Sequence, residues 1–318
     1  MSKNVELGTA FVLLFLASCE SHDMQNVTEN IETSELKIEA SIVSNETSRA
    51  SSSVGKTSFE DGESIGLFAF DEESVTKWTY TSGSWVAETE MNWPSKTIEY
   101  TFCAFYPYTE SAELTNVSMP DLTTQDGTFA DEYDFIVATN TCSYSGTSGG
   151  TVSFTDENAF KHVYSMLTLT FTNNTGEDLT LGTTTVNLEG IMTQLHYNFE
   201  NEAAESDDDG TTLSEITFTS DESISSSGTL SLDFLTNAVS FEDESDGGVL
   251  SVNVAYSYDD ATSYTASAEA SITSLEAGTH YTLYLSIAKN GVTISGYEID
   301  GWEDGGELDS VTLIEEES

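Results

Sequence analysis

From Tyr281 onward the sequence spells out a β-hairpin, and that local pattern constrains the chain more than any other feature. Tyr281, Leu283, Leu285 and Ile287 alternate with other residues, Asn290-Gly291 carries a type I′ turn signal, and Val292 and Ile294 resume the apolar positions. An apolar residue at every second position gives a strand one buried face and spreads around a helix, so the pattern selects a sheet. The same period recurs through the chain. Leu36, Ile38, Ala40 and Ile42 alternate with Lys37, Glu39 and Ser41, and Trp78–Tyr80 and Ser84–Ala87 read as a hairpin across Ser82-Gly83. In the segment from Ile98 to Tyr108, Ile98, Tyr100, Phe102, Ala104 and Tyr106 share one face while Thr101, Cys103 and Phe105 share the other. This strand is therefore expected to be buried on both sides, with Pro107 ending it. Further strands are expected at Tyr133–Ala138, Thr151–Phe154, Tyr164–Thr172, Thr184–Leu188, Thr229–Phe234, Leu250–Tyr258 and Tyr264–Ala270. Only three prolines interrupt a composition rich in Thr, Ser, Tyr, Phe and Val. Many short strands with turns between them predict an all-β chain of Greek-key β-sandwiches.

The 318 residues suffice for two domains, and the Gly/Ser-rich stretch Ser145–Gly150 divides them into 36–150 and 151–318. Ahead of both lies an address. Lys3 precedes an apolar run that ends Leu16-Ala17-Ser18-Cys19, the layout of a secretory signal peptide over residues 1–18. As a helix that run would span roughly 17 Å, too short for a hydrocarbon core of about 30 Å. Leu-Ala-Ser-Cys resembles the lipobox of bacterial lipoproteins, which implies acylation of Cys19 and an outer-membrane anchor. Residues 19–35 are polar and unpatterned and read as a tether.

Formal net charge is −48, from 56 acidic and 8 basic residues. Such a surface repels phosphate backbones, so nucleic acid is not an expected partner. Arg49, the only arginine, stands six residues past Val43 and opens onto the spacer Ala50–Ser53. Other chemistry is weakly signalled. His162, His196 and His280 lack the spacing of a metal site, and Asp207–Gly210 lacks spaced calcium ligands. No G-x-S-x-G or phosphate-binding loop occurs; no enzyme, metal or cofactor is expected. Cys103 and Cys142 are a less favoured candidate disulfide, the first in a buried strand and the second in a loop. Trp78, Tyr80 and Trp85 cluster at one hairpin. Exposed, they would contact a glycan by stacking on its sugar rings; packed inward, the favoured reading, they belong to a core.

The order of several motifs carries a resemblance: the lipobox at Cys19, Phe59-x-x-Gly62-x-x-Ile65-Gly66-Leu67-Phe68, Trp93-Pro94, Phe102-x-Ala104-x-Tyr106-Pro107-Tyr108, Asp134–Ala138, Val152-x-Phe154, Phe160-x-His162 and Ile299-x-x-Trp302. Together they resemble the fimbrillin-like lipoproteins, subunits of pili built by donor-strand exchange. The resemblance implies two tandem transthyretin-like β-sandwich domains. It also implies cell-surface localisation in a fimbrium, cleavage between Arg49 and Ala50, removal of a first strand within 36–49, and other fimbrial subunits as partners. The strand-exchange residues it implies are Leu36, Ile38, Ala40 and Ile42 on the accepting side. On the donating side are Val311 and Leu313 in a terminal strand over 308–316, where Leu308 and Ile314 fall out of phase. A host glycan or protein receptor is expected, and the alternative reading is a monomeric surface lipoprotein that binds host or dietary glycans.

Overall fold

The computed structural model describes residues 34–43, 55–70, 74–206, 215–241, 247–259, 262–301 and 312–313. All of them lie in one compact unit, Thr33–Ser318. The signal peptide, the tether as far as Thr33, Cys19, Arg49, Ala50, Asp207–Gly210, Trp302 and Val311 lie outside the described residues, while Ser34 and Glu35, expected in the tether, are described next to β1.

The described elements are strands and a few short 3-10 turns. The first nine strands are β1 (Lys37–Ala40), β2 (Ser64–Phe68), β3 (Thr76–Thr81), β4 (Ser84–Ala87), β5 (Tyr100–Tyr106), β6 (Val117–Ser118), β7 (Ile136–Cys142), β8 (Thr151–Phe154) and β9 (Lys161–His162). After Val163 come β10 (Tyr164–Asn173), β11 (Leu179–Asn187), β12 (His196–Asn198), β13 (Ala203–Glu205), β14 (Glu215–Thr219), β15 (Ser223–Ile224), β16 (Thr229–Asn237) and β17 (Val239–Ser240). The last are β18 (Gly248–Asp259), β19 (Thr262–Ile272), β20 (Ser274–Leu275), β21 (Thr279–Ala288), β22 (Gly291–Gly301) and β23 (Thr312–Leu313).

In the N-terminal half an antiparallel sheet runs in the order β4-β3-β2-β5-β7-β9. The double pattern of β5 is realised: Phe102, Ala104 and Tyr106 face one core with Ile65, Leu67 and Ile136, and Cys103 and Phe105 face another with Phe68 and Phe135. The first core is closed by the separate pair β1–β8. The second is closed by β6 paired with β12, by Met119 and Leu122, and by Tyr164 and Leu235 from the other half. Gly66 sits in β2 because a Cβ there would lie 2.2 Å from Cζ of Phe105. Where a strand crosses between two aromatic cores, glycine makes room for the neighbouring ring.

In the C-terminal half a sheet ordered β16-β10-β21-β22 faces one ordered β14-β11-β18-β19-β23. Leu169, Phe171, Leu283 and Leu285 meet Val186, Phe218, Val252 and Ala270 in the largest apolar cluster. The halves are stitched together by residues 117–127. Gln125 donates through Nε2 to the Leu235 carbonyl at 3.0 Å and accepts from Leu235 N at 2.6 Å, and Asp233 N donates to the Gly127 carbonyl at 2.7 Å.

Three local expectations change. Ile98 is not on the inner face of β5 but 55% exposed, because Ser95 Oγ accepts from the N–H groups of Thr97 and Ile98 and holds a turn there. Cys142 is not in a loop; it is the last residue of β7, opposite Tyr100. The final hairpin forms with Ala288 opposite Gly291, so its loop is Lys289-Asn290 and the positive φ, +143°, falls on Gly291. At Ser82-Gly83 both residues do take positive φ, 51° and 83°, the type I′ arrangement.

Candidate functional site

The strand Leu36–Val43 is seated across the first core of the N-terminal half. Its alternation is expressed in space: Leu36, Ile38 and Ile42 are 2%, 8% and 6% exposed, while Lys37, Glu39 and Ser41 face solvent. Ala40 packs against the same core at its margin. β1 runs parallel to β8, with Lys37 opposite Thr151 and Ala40 opposite Phe154, and the pairing extends to a bridge between Ile42 and Phe160. Lys37 N donates to the Gly150 carbonyl, Ser41 N to Phe154, Val43 N to Phe160, and Phe160 N returns to Ser41. On the opposite flank the ladder is short: Leu36 N donates to Met91 O, and Trp93 N donates to Ser34 O.

Aromatic side chains make the floor of this seat. Trp78 and Trp93 are each 2% exposed and Trp85 is 8% exposed. The Phe59 ring lies 4.9 Å from that of Trp85 and 5.3 Å from that of Phe160, and Tyr80, half-buried, lies 5.1 Å from Trp85. The hairpin residues considered as a glycan platform therefore point inward. Neither indole of Trp78 and Trp85 offers the open face that sugar stacking needs.

Two members of the site were not singled out in the sequence. Gly150, at the end of the Gly/Ser run, has φ +84°, and its carbonyl accepts from both Lys37 N and Trp93 Nε1. A Cβ there would lie 2.9 Å from the Glu35 carbonyl oxygen. Its signal was composition alone, which reads as a linker. Lys56, 1% exposed, is the other. Its Nζ lies 2.6 Å from Glu63 Oε1, 3.3 Å from Asp131 Oδ2 and 4.8 Å from the centre of the Tyr106 ring. Burial, then the hydrogen bond that Tyr106 donates to Glu63, hold the Tyr106 phenol well above its usual range. Lys56 N also donates to Asp134, whose carboxylate lies 2.9 Å from Nδ1 of the buried His162. The chain is thus fixed at Val43 and again at Lys56, on either side of the segment that holds Arg49.

The remaining candidates are dispersed. His196 lies near Glu205 at 3.5 Å and His280 near Thr168 at 2.7 Å, on different strands. Among the described residues no group of His, Cys, Asp and Glu could hold a metal ion. Cys103 and Cys142 are free thiols packed on opposite faces of one sheet, and burial pushes the Cys103 thiol up to about 11. At the other end of the chain, Leu313 pairs with Ala270 and Thr312 with Ser271, so β23 lies on the margin of the chain's own six-stranded sheet.

No curated protein matches the sequence. Solved structures match along most of their length. One described as a candidate cell adhesion protein from Bacteroides ovatus shares 19% identity and a TM-score of 0.57, covering 86% of this chain and 98% of its own. A second, of the same description, from Bacteroides uniformis, shares 17% identity and a TM-score of 0.54, covering 85% and 99%. At these identities the likeness is one of fold. The model of the fimbrillin-like family matches residues 48–302, a span that takes in every strand from β2 to β22. The chain belongs to the fimbrillin-like family.

Proposed function

We propose that this chain is a non-enzymatic fimbrial subunit of the cell surface, tethered through a lipid on Cys19, that accepts a strand from a neighbouring subunit in the seat now filled by Leu36–Val43. The observation that carries the reading is the seat itself. Three large apolar side chains enter a preformed aromatic core from a strand whose only full ladder is to β8. Burying Leu36, Ile38 and Ile42 contributes about 1.5–3 kcal/mol each, about 5–9 kcal/mol together before entropic losses. A replacement strand of similar pattern recovers that stabilisation, and β8 supplies the backbone partners that fix its register. Cleavage at Arg49–Ala50 would free the native strand while Lys56 keeps the following chain in place.

The terminal segment 308–316 fits the seat less well. Val311 and Leu313 are in phase, but the next in-phase positions are Glu315 and Glu317, where the seat takes Ala40 and Ile42. The donor for this seat is therefore a different subunit, and this chain accepts a strand better than it gives one. The inward aromatic hairpin lends the glycan-binding alternative no support.

The test uses an arginine-specific protease, for which the chain has one site. Expected are a cut after Arg49, a nicked fragment retained through β1, its displacement by excess peptide of sequence Leu36–Val43, and polymer ladders with a donor subunit. A cut fragment that cannot be displaced, with no ladders, would sink the reading.

A further inference from the structure

Lys56 is the one buried lysine among the described residues, and its side chain has no exposed surface. By contrast, Lys289 and Glu177 form an ion pair in which both side chains are more than half exposed. Around Nζ of Lys56 stand two carboxylates with unequal surroundings. Glu63 accepts through Oε1 from Lys56 Nζ at 2.6 Å and from the Tyr106 hydroxyl at 2.9 Å, and through Oε2 from Glu60 N at 2.7 Å. Asp131, in the 3-10 turn Asp131–Tyr133, has Lys56 Nζ, at 3.3 Å, as the one partner of its side chain among the described residues. The rings of Tyr106 and Phe59 lie over Nζ, their centres 4.8 and 5.9 Å away.

We propose that Lys56 and Asp131 condense into an amide, a covalent cross-link inside the N-terminal half, with Glu63 carrying the protons. In this step the Nζ–Cγ bond forms and one Cγ–O bond of Asp131 breaks. The ammonium gives up two protons in turn. Glu63 takes each of them and passes it to the departing oxygen, which leaves as water. One positive and one negative charge vanish together, nothing is oxidised or reduced, and Glu63 ends as it began.

Desolvation makes a lysine amine a nucleophile, and Lys56 is the desolvated lysine of this chain's described residues. Groups that a fold holds in contact react at effective concentrations of about 10⁵–10⁸ M, which favours a condensation that is unfavourable between free molecules in water. Burying an ammonium is costly even when it is paired, and amide formation removes that charge. Of the two carboxyls, Asp131 is the one that reacts. Both oxygens of Glu63 are already held by Tyr106 and Glu60, whereas Asp131 is tied to Nζ alone, and its half-exposed side chain gives the water a way out. The bond joins residues 75 apart. Lys56 is a fixed point of the chain after Arg49, so the cross-link would pin the new N-terminus of a subunit under load in a fibre. That consequence rests on the proposed cut at Arg49; the bond itself does not.

Intact-mass measurement of the denatured, uncleaved protein tests the bond without involving the cut or strand exchange. The wild type is expected to be one water lighter than its composition requires. Trypsin, which does not cut after an acylated lysine, should release a branched peptide joining the stretches around Lys56 and Asp131. Asp131→Ala should have its full mass. Glu63→Gln, which keeps both reacting groups, should form the bond at least about a hundredfold more slowly in freshly synthesised protein. A wild type of full mass, with a salt bridge only, overturns the proposal. So does a loss of water that survives Asp131→Ala, or a branched peptide joined through Glu63. A Glu63→Gln protein that condenses at the wild-type rate overturns the role given to Glu63. The deciding measurement is on the wild type, so it stands even where a variant fails to fold.

Discussion

Two parallel strand pairs in this molecule share a geometry and differ in almost everything that makes a strand hard to remove. β10 and β21 pair in register over eight positions, from Met166–His280 to Asn173–Ile287, and each also has an antiparallel neighbour on its far side, β16 and β22. β1 and β8 pair over four positions and form a sheet of their own. Past β8 the ladder continues to Phe160 through Ser41 and Val43, and on the far flank Met91 and Trp93 meet Leu36 and Ser34. Parallel hydrogen bonding is common to both, so bond type does not separate them. What separates them is enclosure: β21 cannot leave without breaking two ladders and the largest core, whereas β1 can leave by giving up one ladder and three side chains. Local opening free energies follow such differences, and the elements that move in function come from the low end.

The largest expected effect breaks the enclosed pair. Leu285 is fully buried between Phe171 and Ile294 in the register of β10, β21 and β22. Leu285→Ala should cost about 2–5 kcal/mol of global stability, read as a lower denaturation midpoint at unchanged slope. Ile38→Ala removes a side chain of similar size from β1. It should weaken retention of the nicked strand by about 2 kcal/mol, accelerating peptide exchange roughly thirtyfold, with the main unfolding transition shifted much less. If the two substitutions lowered the main transition equally, β1 would be part of the global core and the contrast would fail.

A smaller effect comes from the backbone of the seat. Gly150→Ala places a Cβ 2.9 Å from the Glu35 carbonyl at a residue with φ +84°. The substitution should cost about 1–2 kcal/mol and be felt mainly as faster loss of β1, measured by the same peptide exchange. A Gly150→Ala protein that holds β1 as firmly as the wild type would show that the seat can shift to accommodate it.

The contrast also marks what could be read in the sequence. The alternation at 36–42, the two faces of β5 and the final hairpin were all legible, because period two reports burial directly and needs no knowledge of the partner strand. The seat around β1 was only half legible. Gly150 lies more than a hundred residues from the Leu36–Val43 strand it supports, and Lys56 meets Asp131 and Asp134 across 75 and 78 residues. Nothing local in a Gly/Ser run or a lone lysine announces such contacts. Ile98 misled for the opposite reason: it keeps the apolar phase of β5, but a serine turn two residues before the strand takes up its backbone N–H. Short strands such as β6 and β12 went unread because two or three residues carry no period, though they close the second core.

The smallest effect sharpens the comparison from inside one sheet. Cys142 packs on the face that β1 covers, and Cys103 on the opposite face, against Phe105 and Tyr197. Thiol reagents attack the thiolate, so a raised pKa slows them at any pH below it. Burial pushes Cys103 up to about 11, and burial followed by the nearby Glu99 raises Cys142 as well. At pH 8 the thiolate fraction of Cys103 is then on the order of 0.1%, against roughly a tenth to a quarter for an ordinary cysteine. In the intact protein both thiols should label slowly, Cys103 the more so. After the cut at Arg49 and displacement of β1 with nothing in its place, Cys142 should label several-fold faster while Cys103 keeps its rate, followed by mass spectrometry of the labelled peptides. Raising the pH toward 11 should speed Cys103 with or without β1, because its protection belongs to the other core. A rise at both sites on losing β1 would mean that the sheet itself loosens, and that the first strand holds more of the fold than its single ladder suggests.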